Sequence, residues 1–214
     1  MKNKKVGQIL VNVLMVVVII LFSAYTVFNS ITGRVIVSGS SMNPTLSDLD
    51  YGMMNVSKTK KKNIKRFDII VFEDQKGITG NGTVLIKRVI GLPGDIININ
   101  TATGELTVNE KIVLQDFLDS SYVRKTCGNS RGLACGNNFV VPENEYYVLG
   151  DNRSNSTDSE HGLGTISKDS ILGILWYVDS KCGSIEIKTD KNGNSTYVCK
   201  DKTSTEIRFF LGGE

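Results

Sequence analysis

Residues 6–28, VGQILVNVLMVVVIILFSAYTVF, form an almost uninterrupted apolar run in which Gln8 and Asn12 are the strongly polar interruptions. As an α-helix, 23 residues span roughly 35 Å at about 1.5 Å each, enough to cross a hydrocarbon core of about 30 Å with some tilt. A mean hydropathy near zero therefore averages two unlike parts, a membrane segment and a polar remainder. Lys2, Lys4 and Lys5 stand before the run, and no charge follows it until Arg34. This asymmetry predicts a cytoplasmic N-terminus and an extracytoplasmic remainder. The run is longer than the apolar region of a cleaved signal peptide and lacks an Ala-x-Ala end, so it is read as a permanent single-pass anchor.

The remaining chain carries no net charge of its own. Of 25 basic residues against 22 acidic ones, three are those leading lysines, which leaves 22 against 22. A global basic surface for nucleic acid is thus unsupported, and the local run KTKKKNIKR from Lys58 to Arg66 reads as a solvated loop with some attraction to anionic lipid. With 214 residues, 40% of them apolar, the chain can build one or two domains with a core; collagen, coiled coil and wholesale disorder do not fit.

Four cysteines suit an oxidising compartment. Nearest-neighbour pairing gives two local disulfides in preference to free thiols: Cys127 with Cys135 across CGNSRGLAC, and Cys182 with Cys199 around a hairpin-like stretch with an Asn-Gly turn. The spacings are long and His161 is the single histidine, so no metal site and no cofactor are expected.

Beyond the anchor the sequence falls into short strand-length runs separated by turn residues. RVIVSGS, DYGMMNV, FDIIVFE, TVLIKRVIG, DIININ, ELTVNEKIV, NEYYVLGD and ILGILWYV are the predicted strands, and NTATGE and VPENE read as turns. The fold class is therefore mainly β: an antiparallel, barrel-like domain over residues 29–178, with an insertion or small cap at about 99–139 and a cysteine-flanked hairpin and tail over 179–214.

Several motifs invite a catalytic reading and fail on context. Gly128-Asn-Ser130-Arg-Gly132 matches a nucleophile elbow but lies in a turn-rich loop without the strand and helix that motif requires, and Ser57-Lys-Thr-Lys60 matches Ser-x-x-Lys in a heavily charged stretch. His161 is read as structural or surface. The methionines Met42, Met53 and Met54 read as core packing ahead of a cleft rim. Lys87 differs from the other lysines. It sits in TVLIKRVIG, where Leu85 and Val89 share its face and Ile86 and Ile90 line the other, so a β core could desolvate its amine. An edge lysine snorkelling to water fits the same periodicity. A partner nucleophile would come from Ser38-Gly-Ser-Ser41-Met-Asn-Pro-Thr-Leu46, a strand end where backbone N–H groups can face an oxyanion.

At these residues the chain resembles the bacterial type I signal peptidases, membrane-anchored Ser/Lys endopeptidases that remove signal peptides from exported preproteins. Ser-Gly-Ser-Ser41-Met-Asn-Pro-Thr-Leu is similar to their nucleophile box, Lys87-Arg88-Val-Ile-Gly-Leu-Pro-Gly-Asp95 to their general-base box, and Gly150-Asp-Asn-Arg-Ser-Asn-Ser156-Thr-Asp158-Ser to a third box; Arg66-Phe-Asp68-Ile-Ile-Val-Phe resembles the strand box between the first two. The resemblance covers residues 6 to about 178. It implies Ser41 as nucleophile and backbone oxyanion donor, Lys87 as general base, Ser156 as the hydroxyl that orients the Lys87 amine, Asp158 as the partner of Arg88, and Asp151 and Arg153 as pins of the loop carrying Ser156. Lysine at 87 indicates the prokaryotic type, and Gly39 with a single anchor a Gram-positive-like one. Glu160 departs from the family, which often has arginine there. The implied partners are secretory preproteins cleaved after small residues of the Ala-x-Ala type, and membrane lipid; a monomer and no nucleic acid are expected. Related self-cleaving repressor-type peptidases carry a helix-turn-helix domain where this chain has its anchor. A catalytically inactive, membrane-tethered β-rich binding protein would use the same scaffold without the dyad.

Overall fold

A computed structural model describes residues 2–57, 63–80, 82–128, 132–189 and 195–210. Helix α1, Lys2–Ile31, leads directly into β1, Thr32–Ile36. Its span Val6–Ile31 is long and apolar enough to cross a membrane, and none of it is buried by the rest of the chain. Leu10, Val11, Val13 and Val16 stand around its circumference and all are more than half exposed. A helix apolar on every side and left uncovered by the rest of the described chain has the character of a membrane span.

The strands that follow are β2 Asp50–Asn55, β3 Ile69–Glu73, β4 Val84–Gly91, β5 Ile96–Ile99, β6 Leu106–Val108, β7 Lys111–Val113, β8 Phe139–Val140, β9 Glu145–Leu149, β10 Ile166–Ser167, β11 Ile171–Lys181, β12 Ser184–Thr189, β13 Ser195–Lys200 and β14 Thr203–Phe209. Each run predicted as a strand contributes one, and ELTVNEKIV contributes two. Among the described residues an eight-stranded antiparallel sheet runs β1-β2-β11-β3-β4-β9-β10, with β14 on the far part of β11. The path is open: β1 and β10 are its ends, so no closed barrel forms. Residues 203–209, read from sequence as a tail, are thus an integral strand, paired with Tyr177–Lys181.

Burial explains the order. β3 is buried on both faces from Ile69 to Phe72, which suits a strand with β11 on one side and β4 on the other. Val35, Val37, Met42, Leu46, Ile69 and Leu175 form one core cluster, and Ile70, Phe72, Val89, Val148 and Ile174 form another behind it. Each such side chain contributes about 1.5–3 kcal/mol by leaving water. A four-stranded sheet, β7-β6-β5-β8, takes up much of the predicted insertion and shares a third core with β9 through Ile97, Ile99, Leu106, Tyr147 and Leu149. Both expected disulfides are present, Cys127–Cys135 and Cys182–Cys199. The first lies under the small sheet; the second closes the separate β12–β13 hairpin. That hairpin's Asn-Gly turn, Lys58–Lys62 and Ser130 lie outside the described residues. From the basic run, Ile64 is buried in the second core cluster and Arg66 pairs with Asp95 at 3.0 Å, so this end of the run is not a solvated loop.

Candidate active site

The turn after β1 carries Ser41 between two anchors. Met42 and Leu46 are almost fully buried in the core, and the Leu46 N–H donates to the Met42 carbonyl at 2.9 Å, so one helical turn is pinned at both ends. Gly39, at φ +90°, takes a backbone conformation that L side chains resist, and its N–H donates to Asp48 at 2.8 Å. The Ser41 carbonyl accepts from Asn152 N–H at 3.0 Å, while Ser40 accepts from Asn152 and Asn155, which ties this turn to the third box. No hydrogen bond among the described residues engages the Ser41 N–H.

Opposite Ser41, β4 lies between β3 and β9 and carries Lys87 in register with Ile70. Lys87 is 2% exposed, so it does not snorkel. Nζ lies 2.8 Å from Ser41 Oγ and donates to the Ile86 carbonyl at 3.0 Å. Burial pulls the amine down to about 8, against the opposing pull of the Asp158 and Asp151 carboxylates. An amine with that value is neutral in about one molecule in ten at pH 7 and in about half at pH 8.

Arg88, the next residue, points to the other side of the strand. The expected Arg88–Asp158 pair is not formed; Arg88 binds Asp151 through Nε at 2.9 Å and Nη2 at 2.6 Å. Its Nη1 donates to the Phe67 carbonyl at 3.0 Å, and its guanidinium stacks 4.0 Å over the Phe117 ring. Asp158 instead accepts the Gly150 N–H at 2.9 Å and the His161 Nδ1 at 2.8 Å, closing the loop from 150 to 161 on itself. The same hydrogen bond raises the His161 imidazole above its ordinary range. Arg153 is buried, with Nη1 on Thr126 and Nη2 on Gln115, both at 2.6 Å. It thereby joins the third box to the inserted segment, and burial lowers it only to about 10, so it stays charged.

The expected hydrogen bond from Ser156 to the Lys87 amine is not formed. Ser156 Oγ is buried and makes no hydrogen bond among the described residues; the amine is held by Ile86 instead. Ser156 does share with Ser41 and Lys87 a cavity of about 450 Å³. Gly150 keeps these groups close, because a Cβ there would fall 2.5 Å from the Ser41 carbonyl and 2.6 Å from Ser156 Cβ. A second cavity, about 1230 Å³, extends from Ser41 and Lys87 along β1 to Arg34 and is lined by Val35, Met54 and Ile86 among others. Met42 lines it as well as packing in the core.

A buried lysine amine beside a serine hydroxyl, at one end of a long apolar cleft, is the geometry on which the known relatives bear. The family described as Signal peptidase, peptidase S26, matches residues 10–178. The chain belongs to this family. Signal peptidase I U of Bacillus subtilis is 33% identical over 80% of this chain and 87% of its own. Signal peptidase I P of Bacillus subtilis subsp. natto is 34% identical over 76% and 84%. A solved signal peptidase I from Enterococcus faecalis V583 is 32% identical and overlaps 52% of this chain and 96% of its own, with a TM-score of 0.39. Membership makes the chain a peptidase acting on signal peptides of secretory preproteins. Its apolar helix fits a membrane-anchored protein.

Sequence reasoning missed several residues around the site. Thr45, inside the nucleophile box, donates to Asp151 at 2.5 Å, and its carbonyl accepts from Arg208 on β14 at 2.7 Å. Thr45 was legible from its box; Arg208 carried no local signal. Glu160, where an arginine was the family expectation, is buried and accepts the Ala134 and Cys135 N–H groups at 3.0 and 3.1 Å, together with the Tyr147 hydroxyl. It holds the Cys127–Cys135 loop onto the core.

Proposed function

We propose that this peptidase works by a Ser41–Lys87 dyad, acting as a monomer at the outer surface of the membrane that α1 spans with its N-terminus in the cytoplasm. The carrying observation is the 2.8 Å approach of Nζ to Oγ inside a buried site. The neutral amine takes the Ser41 proton as Oγ attacks the scissile carbonyl, and the resulting ammonium returns that proton to the departing amine. The ester on Ser41 is then hydrolysed by a water that Lys87 deprotonates in turn. The Ser41 N–H, which no hydrogen bond among the described residues engages, faces the developing oxyanion. With Gly39 in place of a side-chain donor, that backbone group carries more of the stabilisation.

Protonated Lys87 has three N–H donors. The Ile86 carbonyl takes one and the reacting atoms another, which leaves the third for the Ser156 hydroxyl in the shared cavity. Asp151, Arg88 and Arg153 position the two segments that meet at the dyad, and Asp158 fixes the loop that carries Ser156. Substrate enters in extended form beside β1, an edge strand whose free side adds a further strand. Small side chains before the scissile bond suit the shallow walls expected there.

The test is cleavage of a preprotein by detergent-solubilised full-length protein, with the product's new N-terminus sequenced. Wild type cleaves after a small residue, and Ser41→Ala and Lys87→Met each lose more than about a thousandfold in rate. Wild-type rates in either variant would end the dyad assignment.

A further inference from the structure

The family match ends at residue 178, and the β12–β13 hairpin lies beyond it. Even so, Ile185, Ile187 and Val198 of that hairpin line the same 1230 Å³ cavity as Ser41 and Lys87. The hairpin is held in this position. Its base is closed by the Cys182–Cys199 disulfide, the Cys182 N–H donates to the Leu49 carbonyl at 2.9 Å, and Lys202 just after it lies 4.5 Å over the Tyr51 ring while pairing with Asp179 at 3.5 Å. Leu49 and Tyr51 flank the start of β2, the neighbour of β1. A two-stranded hairpin alone in water is marginal, so these ties are what hold it beside the cleft.

Its two faces differ in chemistry. Residues directly opposite each other in an antiparallel pair share a face. Ile185 stands opposite Cys199, with Ile187 two residues on, whereas Glu186 and Lys200 occupy the other face and form an ion pair at 3.1 Å. The isoleucine face gives the cavity Ile185, Ile187 and Cys199, whereas Val198, opposite Glu186, borders it from the other face. Ile187 is 59% exposed, and neither isoleucine belongs to a core cluster. Apolar groups held at a cleft wall without a folding partner gain from burial only when the cleft is filled.

The course of the cleft indicates what fills it. It opens at Arg34, just past the end of α1, and follows Val35 to Ser38 toward Ser41. A polypeptide cut at Ser41 and laid along β1 therefore presents, toward the membrane end, the residues that precede the small ones at the scissile bond. In a segment leaving the bilayer those residues are apolar. We propose that Ile185 and Ile187 contact this apolar part of the signal peptide, so that the C-terminal extension is a substrate-selecting wall added to the peptidase. The inference rests on cleavage occurring at Ser41.

The experiment compares two substrates of the full-length enzyme: a preprotein with its apolar segment intact, and the same preprotein with that segment replaced by Gly and Ser. In the Ile185→Ser, Ile187→Ser double variant the ratio of kcat/KM between them falls about tenfold, through KM on the intact preprotein. Glu186→Gln with Lys200→Gln, on the opposite face, leaves the ratio at its wild-type value. An unchanged ratio in the isoleucine variant overturns the proposal, as does an equal loss on both substrates. A photo-reactive residue at position 187 of the Ser41→Ala protein adds a readout independent of turnover. It forms an adduct with the apolar segment of bound preprotein; an adduct elsewhere, or none, overturns the wall even if the dyad assignment itself has failed.

Discussion

Arg208, on the last strand, holds the carbonyl of Thr45 at 2.7 Å, four residues past Ser41, and with its second nitrogen meets Asp50 at 2.5 Å. Asp50 also accepts the Ser47 N–H at 2.8 Å. A strand beyond the family match thus clamps the far end of the turn that carries the serine. Arg208→Ala is expected to lower kcat about tenfold at little change in KM, because a displaced turn spoils the approach of Oγ to Nζ. The side chain is 37% exposed, so the stability loss stays within about 1 kcal/mol after solvent screening. Steady-state kinetics and thermal unfolding separate the two effects, and Arg208→Lys recovers part of kcat by retaining one donor.

The buried Lys87 amine sets two pH dependences. Its neutral form is the base, so kcat/KM climbs with pH up to about 8 and levels off above it. A rise continuing toward pH 10 would place the titration on an unburied lysine. Stability follows the same group: the folded value is about 8 against 10.5 for the free side chain, so between these the unfolded chain holds a proton that the native state has shed. Stability contributed by this group therefore rises across that window, by roughly 3 kcal/mol in all, and is absent below it. Denaturant unfolding of wild type and Lys87→Met from pH 7 to pH 10.5 shows the rise as a difference between the two, with the methionine variant the more stable at pH 7.

Arg88 and Asp151 are buried together, so removing one strands the other. Asp151→Leu and Arg88→Met each cost about 3–5 kcal/mol in chemical denaturation. The double variant costs less than either single change, since no uncompensated charge remains.

Gly150 separates the Ser41 carbonyl from Ser156. Gly150→Ala forces the turn away and lowers the rate about a hundredfold or more. Adding Ser156→Ala does not restore it, because the Ser41 carbonyl and the Cβ at position 156 both stay within 2.6 Å of the new methyl group. A preprotein cleavage assay on the single and double variants checks this.

Period-two patterning was enough to place β1 to β7, β9 and β11, since alternation or a short apolar run is itself the condition for pairing in a sheet, but the two-residue strands Phe139–Val140 and Ile166–Ser167 are too short to show a period. The tail strand Thr203–Phe209 escaped because almost all of it is exposed, so burial has left no apolar pattern there to read. Lys87 was ambiguous for a related reason: the same flanking isoleucines suit an edge lysine and a central one, and only the pairing of β4 with both β3 and β9 removes its route to water. Arg88 took Asp151 and not Asp158 because Asp158 is consumed by the backbone of its own loop, a closure that spacing does not reveal.

The amino-acid order alone decided what is local: a helix apolar all round, strands of a given length and face, cysteines near enough along the chain to pair, and boxes whose residue types suit a serine and an amine. Distance along the chain says nothing of which buried charge meets which, nor that a hairpin near the C-terminus borders the cleft at Ser41. Those were decided by the packing of sheets against one another, because desolvation and hydrogen bonding depend on everything that surrounds a side chain in space.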